Sequence, residues 1–174
     1  MANLNPVIPD VHQAPRKASE QLKQGVRAPA FELPDADLNW VCYKDLCGHS
    51  ILVLYFYPRD DTPGCTAEAM EFSELEMDFR ECGTLVMGIS MDDCMTHGSF
   101  RDKHGLAVQL LSDVEGEVCR RYGVLEQKEH EGRRRECIRR STFVIDRKGV
   151  VRHALYGVSS RGHAAEVLRL IKEL

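Results

Sequence analysis

Residues Ile51–Tyr57 run Ile-Leu-Val-Leu-Tyr-Phe-Tyr, with no charged or amide side chain among them. A strand with one wet face alternates apolar and polar residues, so a continuous run like this one must be covered on both sides. Further strands are read at Leu85–Ser90 and Val108–Leu111, and each is followed by a segment of helical character: about 62–82, 93–104 and 113–122. Thr142–Asp146 and Val150–Tyr156, joined through Arg147-Lys-Gly149, read as a hairpin. A terminal helix then sets Ala164, Val167, Leu168, Ile171 and Leu174 on one face. Strands alternating with helices predict an α/β fold with a central mixed sheet between helices, the hairpin supplying its antiparallel strands.

The chain has 174 residues, enough for one domain with an adequate core. Residues 1–21 carry Pro6, Pro9 and Pro15 without apolar periodicity and read as an N-terminal extension, leaving 22–174 as the domain. A short opening strand and turn are expected from Ala28-Pro-Ala-Phe-Glu-Leu-Pro34 onward.

The turn after the first apolar run carries the chemistry: Pro58-Arg-Asp-Asp-Thr62-Pro-Gly-Cys65. Thr62 suits an N-cap and Pro63 the first helical position, which puts Cys65 inside the first turn of a helix. A thiol there faces unpaired backbone N–H groups and the positive end of the helix dipole, both of which favour the reactive thiolate. The competing reading is a buried, inert cysteine. The helix continues through Phe72, Leu75, Phe79 and Cys82 as one apolar stripe and ends at Gly83.

The run Tyr55-Phe-Tyr-Pro-Arg-Asp-Asp-Thr-Pro-Gly-Cys-Thr-Ala-Glu-Ala resembles the peroxidatic-cysteine motif of peroxiredoxins, in particular the bacterioferritin-comigratory-protein or peroxiredoxin Q branch. The family's Pro-x-x-x-Thr-x-x-Cys pattern falls on Pro58, Thr62 and Cys65, and its catalytic arginine on Arg140 of Arg140-Ser-Thr-Phe-Val-Ile-Asp146. The resemblance runs from about Leu22 to the C-terminus. It implies a thioredoxin-like fold and a thiol peroxidase that reduces hydrogen peroxide and organic hydroperoxides. The chemistry agrees with this, since a thiolate attacking a peroxide needs negative charge stabilised first on sulfur and then on oxygen, and a fixed guanidinium serves both stages. Thr62 is expected to hydrogen-bond the peroxide or the sulfur, and Pro58 to shield the thiolate. Glu68 reads as a solvent-facing carboxylate one turn beyond Cys65, with orientation of an arginine as the other option. Sulfur carries both electrons, so no metal, haem or flavin is expected. The other function class compatible with these residues is a thioredoxin-fold redox sensor or binding module in which Cys65 is oxidised without efficient turnover.

Oxidised Cys65 must be resolved by a second thiol or it advances to sulfinic acid. Many relatives place that thiol five residues later, where this chain has Met70, so local resolution is excluded. Cys94, at the start of the helix after the second strand, is the candidate resolving cysteine, although the usual position in that helix corresponds to Arg101. Bridging it to Cys65 requires local unwinding, because disulfide geometry allows only about 4.4–6.8 Å between Cα atoms. Without an internal partner the enzyme is a one-cysteine type. The reductant is then thioredoxin, glutaredoxin or a low-molecular-weight thiol. Cys119 and Cys82 read as core, Cys137 as a loop thiol before Arg140, and Cys42 with Cys47 as an unpaired coincidence of spacing. Cys94-x-x-His97 stands alone, which argues against metal binding.

Seven cysteines without a signal peptide point to a reducing compartment, and the expected location is cytoplasmic. The net charge of −4 gives no footprint for nucleic acid, and no stretch is long enough for a membrane span. The mixed run from Glu126 to Arg135 reads as a solvated loop. A monomer or weak dimer is expected.

Overall fold

The structure is a computed structural model and describes residues 20–174. All but the last two residues of the expected extension lie outside the described residues. Leu22, where the domain was expected to begin, is buried, and its N–H donates to the Tyr156 hydroxyl at 2.7 Å.

The opening strand is the first half of a small hairpin, β1 (Glu32–Pro34) with β2 (Trp40–Cys42), followed by the single turn α1 (Tyr43–Leu46). β3 (Ile51–Phe56) leads into α2 (Pro63–Glu74) and α3 (Glu76–Glu81), then come β4 (Thr84–Ser90) and α4 (Cys94–His104). β5 (Gln109–Ser112) and α5 (Glu117–Arg121) precede β6 (Leu125–His130) and β7 (Arg133–Ile138). β8 (Ser141–Ile145), β9 (Val151–Tyr156) and α6 (His163–Lys172) complete the chain.

The main sheet has the order β5-β4-β3-β8-β9. β3, β4 and β5 are parallel, while β8 runs antiparallel to both β3 and β9, so the sheet is mixed as expected. Strand geometry then explains the apolar run of β3. Leu52, Leu54 and Phe56 point to a core with Phe31, Tyr43, Val118 and Tyr122, and Val53, Tyr55 and Tyr57 to a second core with Phe72, Phe79, Phe100 and Val167. Each face has its own helices, and every residue of β3 is buried. Gly88 in β4 lets Tyr55 lie flat against the sheet, since a Cβ there would sit 2.6 Å from the Tyr55 hydroxyl.

Several expectations need correction. The helix from Thr62 breaks at Leu75 (φ −95, ψ 6), which turns Phe79 onto the same core as Phe72 and brings their ring centroids to 5.9 Å. Cys82, at the end of that stripe, is only half-buried. α5 begins later than Asp113, because Gly116 takes a left-handed conformation (φ 69) and Asp113 instead accepts the Cys119 N–H at 2.8 Å. Leu174 lies past the end of α6 and is exposed, whereas Ala164, Val167, Leu168 and Ile171 are buried.

One further correction is larger. The segment read as a solvated loop is a two-stranded hairpin, β6 with β7, in which Lys128 faces Arg135 and Glu129 faces Arg134. Glu131 (φ 52) and Gly132 (φ 75) form its two-residue turn, the backbone twist that hairpins prefer. Cys137 therefore stands on a strand and not in a loop. Among the described residues no helix is long and apolar enough to cross a membrane.

Candidate active site

Phe56 and Ser141 face each other across the antiparallel β3–β8 pair. The residue just before β8 therefore lies beside the turn leaving β3, and that residue is Arg140. In the same turn Thr62 occupies the N-cap position of α2 (φ −89, ψ 153), Pro63 takes the first helical position, and Cys65 falls in the first turn. Cys65 is 2 % exposed. Arg140 Nη2 stands 3.4 Å from Cys65 Sγ, across 75 residues of sequence.

The other guanidinium nitrogen, Nη1, donates to Glu68 Oε2. Glu68 is fully buried, contrary to the solvent-facing reading, and its second oxygen, Oε1, has no hydrogen-bond partner. One carboxylate thus fixes the rotation of the guanidinium and aims the remaining nitrogen at sulfur. Gly64 makes room for this: a Cβ there would sit 3.2 Å from Arg140 Nη2 and 3.4 Å from Ser160 Oγ.

Burial pushes the Glu68 carboxyl up to about 7, with the Arg140 charge pulling in the opposite direction. Its folded value lies above its ordinary one of 4.5, so its contribution to stability is complete below that ordinary value and is lost as pH rises towards 7. Glu68→Gln is expected to remove this slope. In urea unfolding at about pH 5 and about pH 7.5, the parent should lose on the order of 2 kcal/mol relative to the variant. Equal changes in the two proteins would refute this role.

Thr62 caps the helix through its backbone, the carbonyl accepting the Thr66 N–H at 2.8 Å. Its hydroxyl does not cap; it donates to the Arg59 carbonyl at 3.0 Å. Pro58 is exposed at the start of the turn. Cys94 is the first residue of α4, half-buried, behind an Asp93 cap whose side chain accepts the Thr96 N–H at 2.8 Å. All seven cysteines are free thiols. Cys119 is fully buried, and burial together with Asp113 raises its thiol far above the ordinary range. Burial also raises the Cys137 thiol. His97 engages both ring nitrogens, with Leu111 and Asp60, so Cys94-x-x-His97 builds no ligand pair.

Orientation of an arginine, the other option weighed for Glu68, is the arrangement found, though its burial was not foreseen, and sequence reasoning missed the pair between Asp60 of the turn and His97 of α4. Glu68 shares the helical face of Cys65, Ala69 and Phe72, all buried, and that face was the available signal.

Residues 24–154 match the AhpC/TSA family. A putative peroxiredoxin of Coxiella burnetii is 41% identical over 147 residues, covering 84% of this chain and 97% of the relative. Peroxiredoxin Bcp of Bacillus subtilis is 37% identical over 150 residues, covering 86% and 95%. Among solved structures, the Xanthomonas campestris bacterioferritin comigratory protein, described for its alkyl peroxide reduction activity, superposes with a TM-score of 0.78 at 35% identity, over 82% of this chain and 90% of that one. A Xylella fastidiosa PrxQ gives a TM-score of 0.82 at 31% identity, over 88% and 98%. A buried cysteine at a helix start, an arginine on its sulfur and these matches along most of the chain lead to one assignment: the chain belongs to the AhpC/TSA family of peroxiredoxins, in the bacterioferritin-comigratory-protein or peroxiredoxin Q branch.

Proposed function

We propose that Cys65 is the nucleophile of this thiol peroxidase, and that Arg140, Thr62 and Pro58 form the wall around it. The supporting observation is the shared guanidinium, with Nη2 at 3.4 Å from Cys65 Sγ and Nη1 on buried Glu68. The thiolate attacks one peroxide oxygen, the O–O bond breaks, and the second oxygen leaves as alkoxide or hydroxide and takes a proton. Arg140 donates first to the sulfur and then to the departing oxygen, in a site where burial strengthens both interactions. The Thr62 hydroxyl, which already donates to Arg59, offers its oxygen as an acceptor for a hydroperoxide proton. The resulting sulfenic acid reacts with a thiol to give a disulfide and water. Hydrogen peroxide and small alkyl hydroperoxides are the substrates, and a thioredoxin, a glutaredoxin or a small thiol is the reductant. Residues 22–174 are the catalytic domain, and seven free thiols suit the cytoplasm.

Cys94 is the internal resolving thiol in this reading. After one equivalent of hydrogen peroxide and trapping of free thiols, mass spectrometry is expected to find a Cys65–Cys94 disulfide that is absent from Cys94→Ser. Sulfenic acid on Cys65 in both proteins would refute Cys94 and leave a one-cysteine cycle. Oxidation confined to other cysteines would refute Cys65.

A further inference from the structure

The β6–β7 hairpin has two unlike faces. Residues directly opposite each other in an antiparallel pair share a face, and so do alternate residues along each strand. Register therefore puts Lys128, His130, Arg133 and Arg135 on one face, all of them exposed, with Glu126 and Cys137 nearer the base. The pairing runs one step further, since the Arg139 N–H donates to the Val124 carbonyl at 2.7 Å, so exposed Arg139 continues the same face. That face carries four fixed cations and one carboxylate, Glu126, which pairs with Lys128 at 3.4 Å. Among the described residues no carboxylate engages Arg133, Arg135 or Arg139. The other face holds Gln127, Glu129, Arg134 and Glu136, and Glu136 is taken by Arg120 of α5 at 3.1 Å.

A chain with a net charge of −4 thus gathers unpaired guanidiniums into one stripe. Cations left without counter-charges present a field that draws in anionic partners. From Arg133 to Arg139 the extended chain runs about 20 Å, which is too long for a small molecule and suits one dimension of a standard protein interface. The stripe also has a definite end. Arg139 Nη2 lies against Gly157, where a Cβ would sit 2.6 Å away. The next residue is Arg140, whose Nη2 stands 3.4 Å from Cys65 Sγ and whose carbonyl accepts the Val158 N–H at 3.0 Å. Successive residues of extended chain point to opposite sides, so Arg139 faces the hairpin and Arg140 the sulfur at the same end of the sheet. A protein lying along the stripe spans both.

We propose that the basic face of the β6–β7 hairpin is the docking surface for an acidic protein dithiol, the reductant that returns oxidised Cys65 to the thiol. The inference rests on Cys65 as nucleophile, and it selects a protein among the reductants of that reading. Charge complementarity sets the sign of the partner's surface. Position sets its chemistry, because the stripe ends beside the one sulfur that a thiol has to visit in each cycle. One thiol of the partner attacks the sulfenic sulfur, an S–S bond forms and water leaves. The partner's second thiol then attacks that bond, which releases Cys65 as a thiol and leaves the disulfide on the partner. The stripe takes no part in either bond change. It raises the rate of productive encounter, and that contribution is screened as salt rises.

The test uses the full chain carrying Cys94→Ser, oxidised with one equivalent of hydrogen peroxide so that Cys65 holds the sulfenic acid. Two probes reduce it: a thioredoxin of net negative charge, and dithiothreitol, which is too small to touch the stripe and the sulfur together. Arg135→Glu and Arg134→Glu change the net charge equally on opposite faces of the hairpin. At low salt Arg135→Glu is expected to slow the thioredoxin reaction about fivefold, and Arg134→Glu by less than about twofold. The parent's own thioredoxin rate should fall about tenfold between low salt and about 0.5 M, where the two variants converge on it. Rates with dithiothreitol, and of Cys65 oxidation by hydrogen peroxide, should stay within about twofold throughout. A thioredoxin rate that ignores salt, an equal loss in Arg134→Glu, or an equal loss with dithiothreitol would overturn the docking face. A fluorescent DNA duplex held by the parent and released by Arg135→Glu, with thioredoxin rates unchanged, would overturn it in favour of nucleic acid. A parent chain that shows no oxidation at Cys65 would instead overturn the nucleophile assignment, and the docking face with it.

Discussion

Replacing Cys65 with serine is expected to abolish peroxide reduction while leaving the fold in place. Serine has the same shape with a smaller, harder atom, and its oxygen cannot accept an oxygen from a peroxide. The Arg140–Glu68 pair does not depend on the sulfur, so the buried charges stay matched when the thiol is lost. Removal of a nucleophile typically costs roughly 10⁴-fold or more, down to the slow reaction of ordinary thiols. Peroxide consumption with a saturating thiol reductant measures the loss, and thermal unfolding within about 4 °C of the parent shows that the fold survives. Residual turnover near the parental rate would mean that another cysteine does the work.

Replacing Arg140 with methionine carries the second largest effect, because it acts on the reaction and on the fold at once. Loss of the donor at 3.4 Å from Cys65 Sγ removes charge stabilisation from the attacking sulfur and from the departing oxygen. Oxidation of Cys65 by hydrogen peroxide, followed in a stopped-flow instrument, should slow roughly 10²–10³-fold. The same change strands Glu68 in the core without its cation, a situation that typically costs about 3–5 kcal/mol when the charge is retained. Adding Glu68→Gln should recover most of the lost stability and none of the lost rate. A double variant that recovers the rate would show that Arg140 acts through packing alone.

The sheet was readable from sequence because burial on both faces leaves a simple mark: runs such as Ile51–Tyr57 have no other place to go. Cys65 and Arg140 were readable because each stands at a boundary between elements, where turn residues announce the backbone. The β6–β7 hairpin left no such mark. Most of its residues are exposed on both faces, so its period of two is written in charges that look like solvent. Glu68 was misjudged for a related reason. A carboxylate one turn beyond a cysteine is usually wet, and only an arginine 72 residues away makes its burial tolerable. Asp60 and His97 were hidden likewise, since a separation of 37 positions along the chain says nothing about their contact.

The distance along the chain between Cys65 and Arg140 also has a bearing on the order of assembly. β3, α2 and β4 adjoin one another in sequence, so the cysteine and its helix can form while much of the chain is still being made. The arginine waits for β8, whose pairing with β3 closes a loop of most of the domain, and contacts of that span form late and slowly. A nascent chain therefore holds its sulfur without the guanidinium that stands beside it in the complete fold. On the roles proposed for Cys65 and Arg140, competence arrives with the last strands, so an incomplete or misassembled copy has a thiol but no armed oxidant trap.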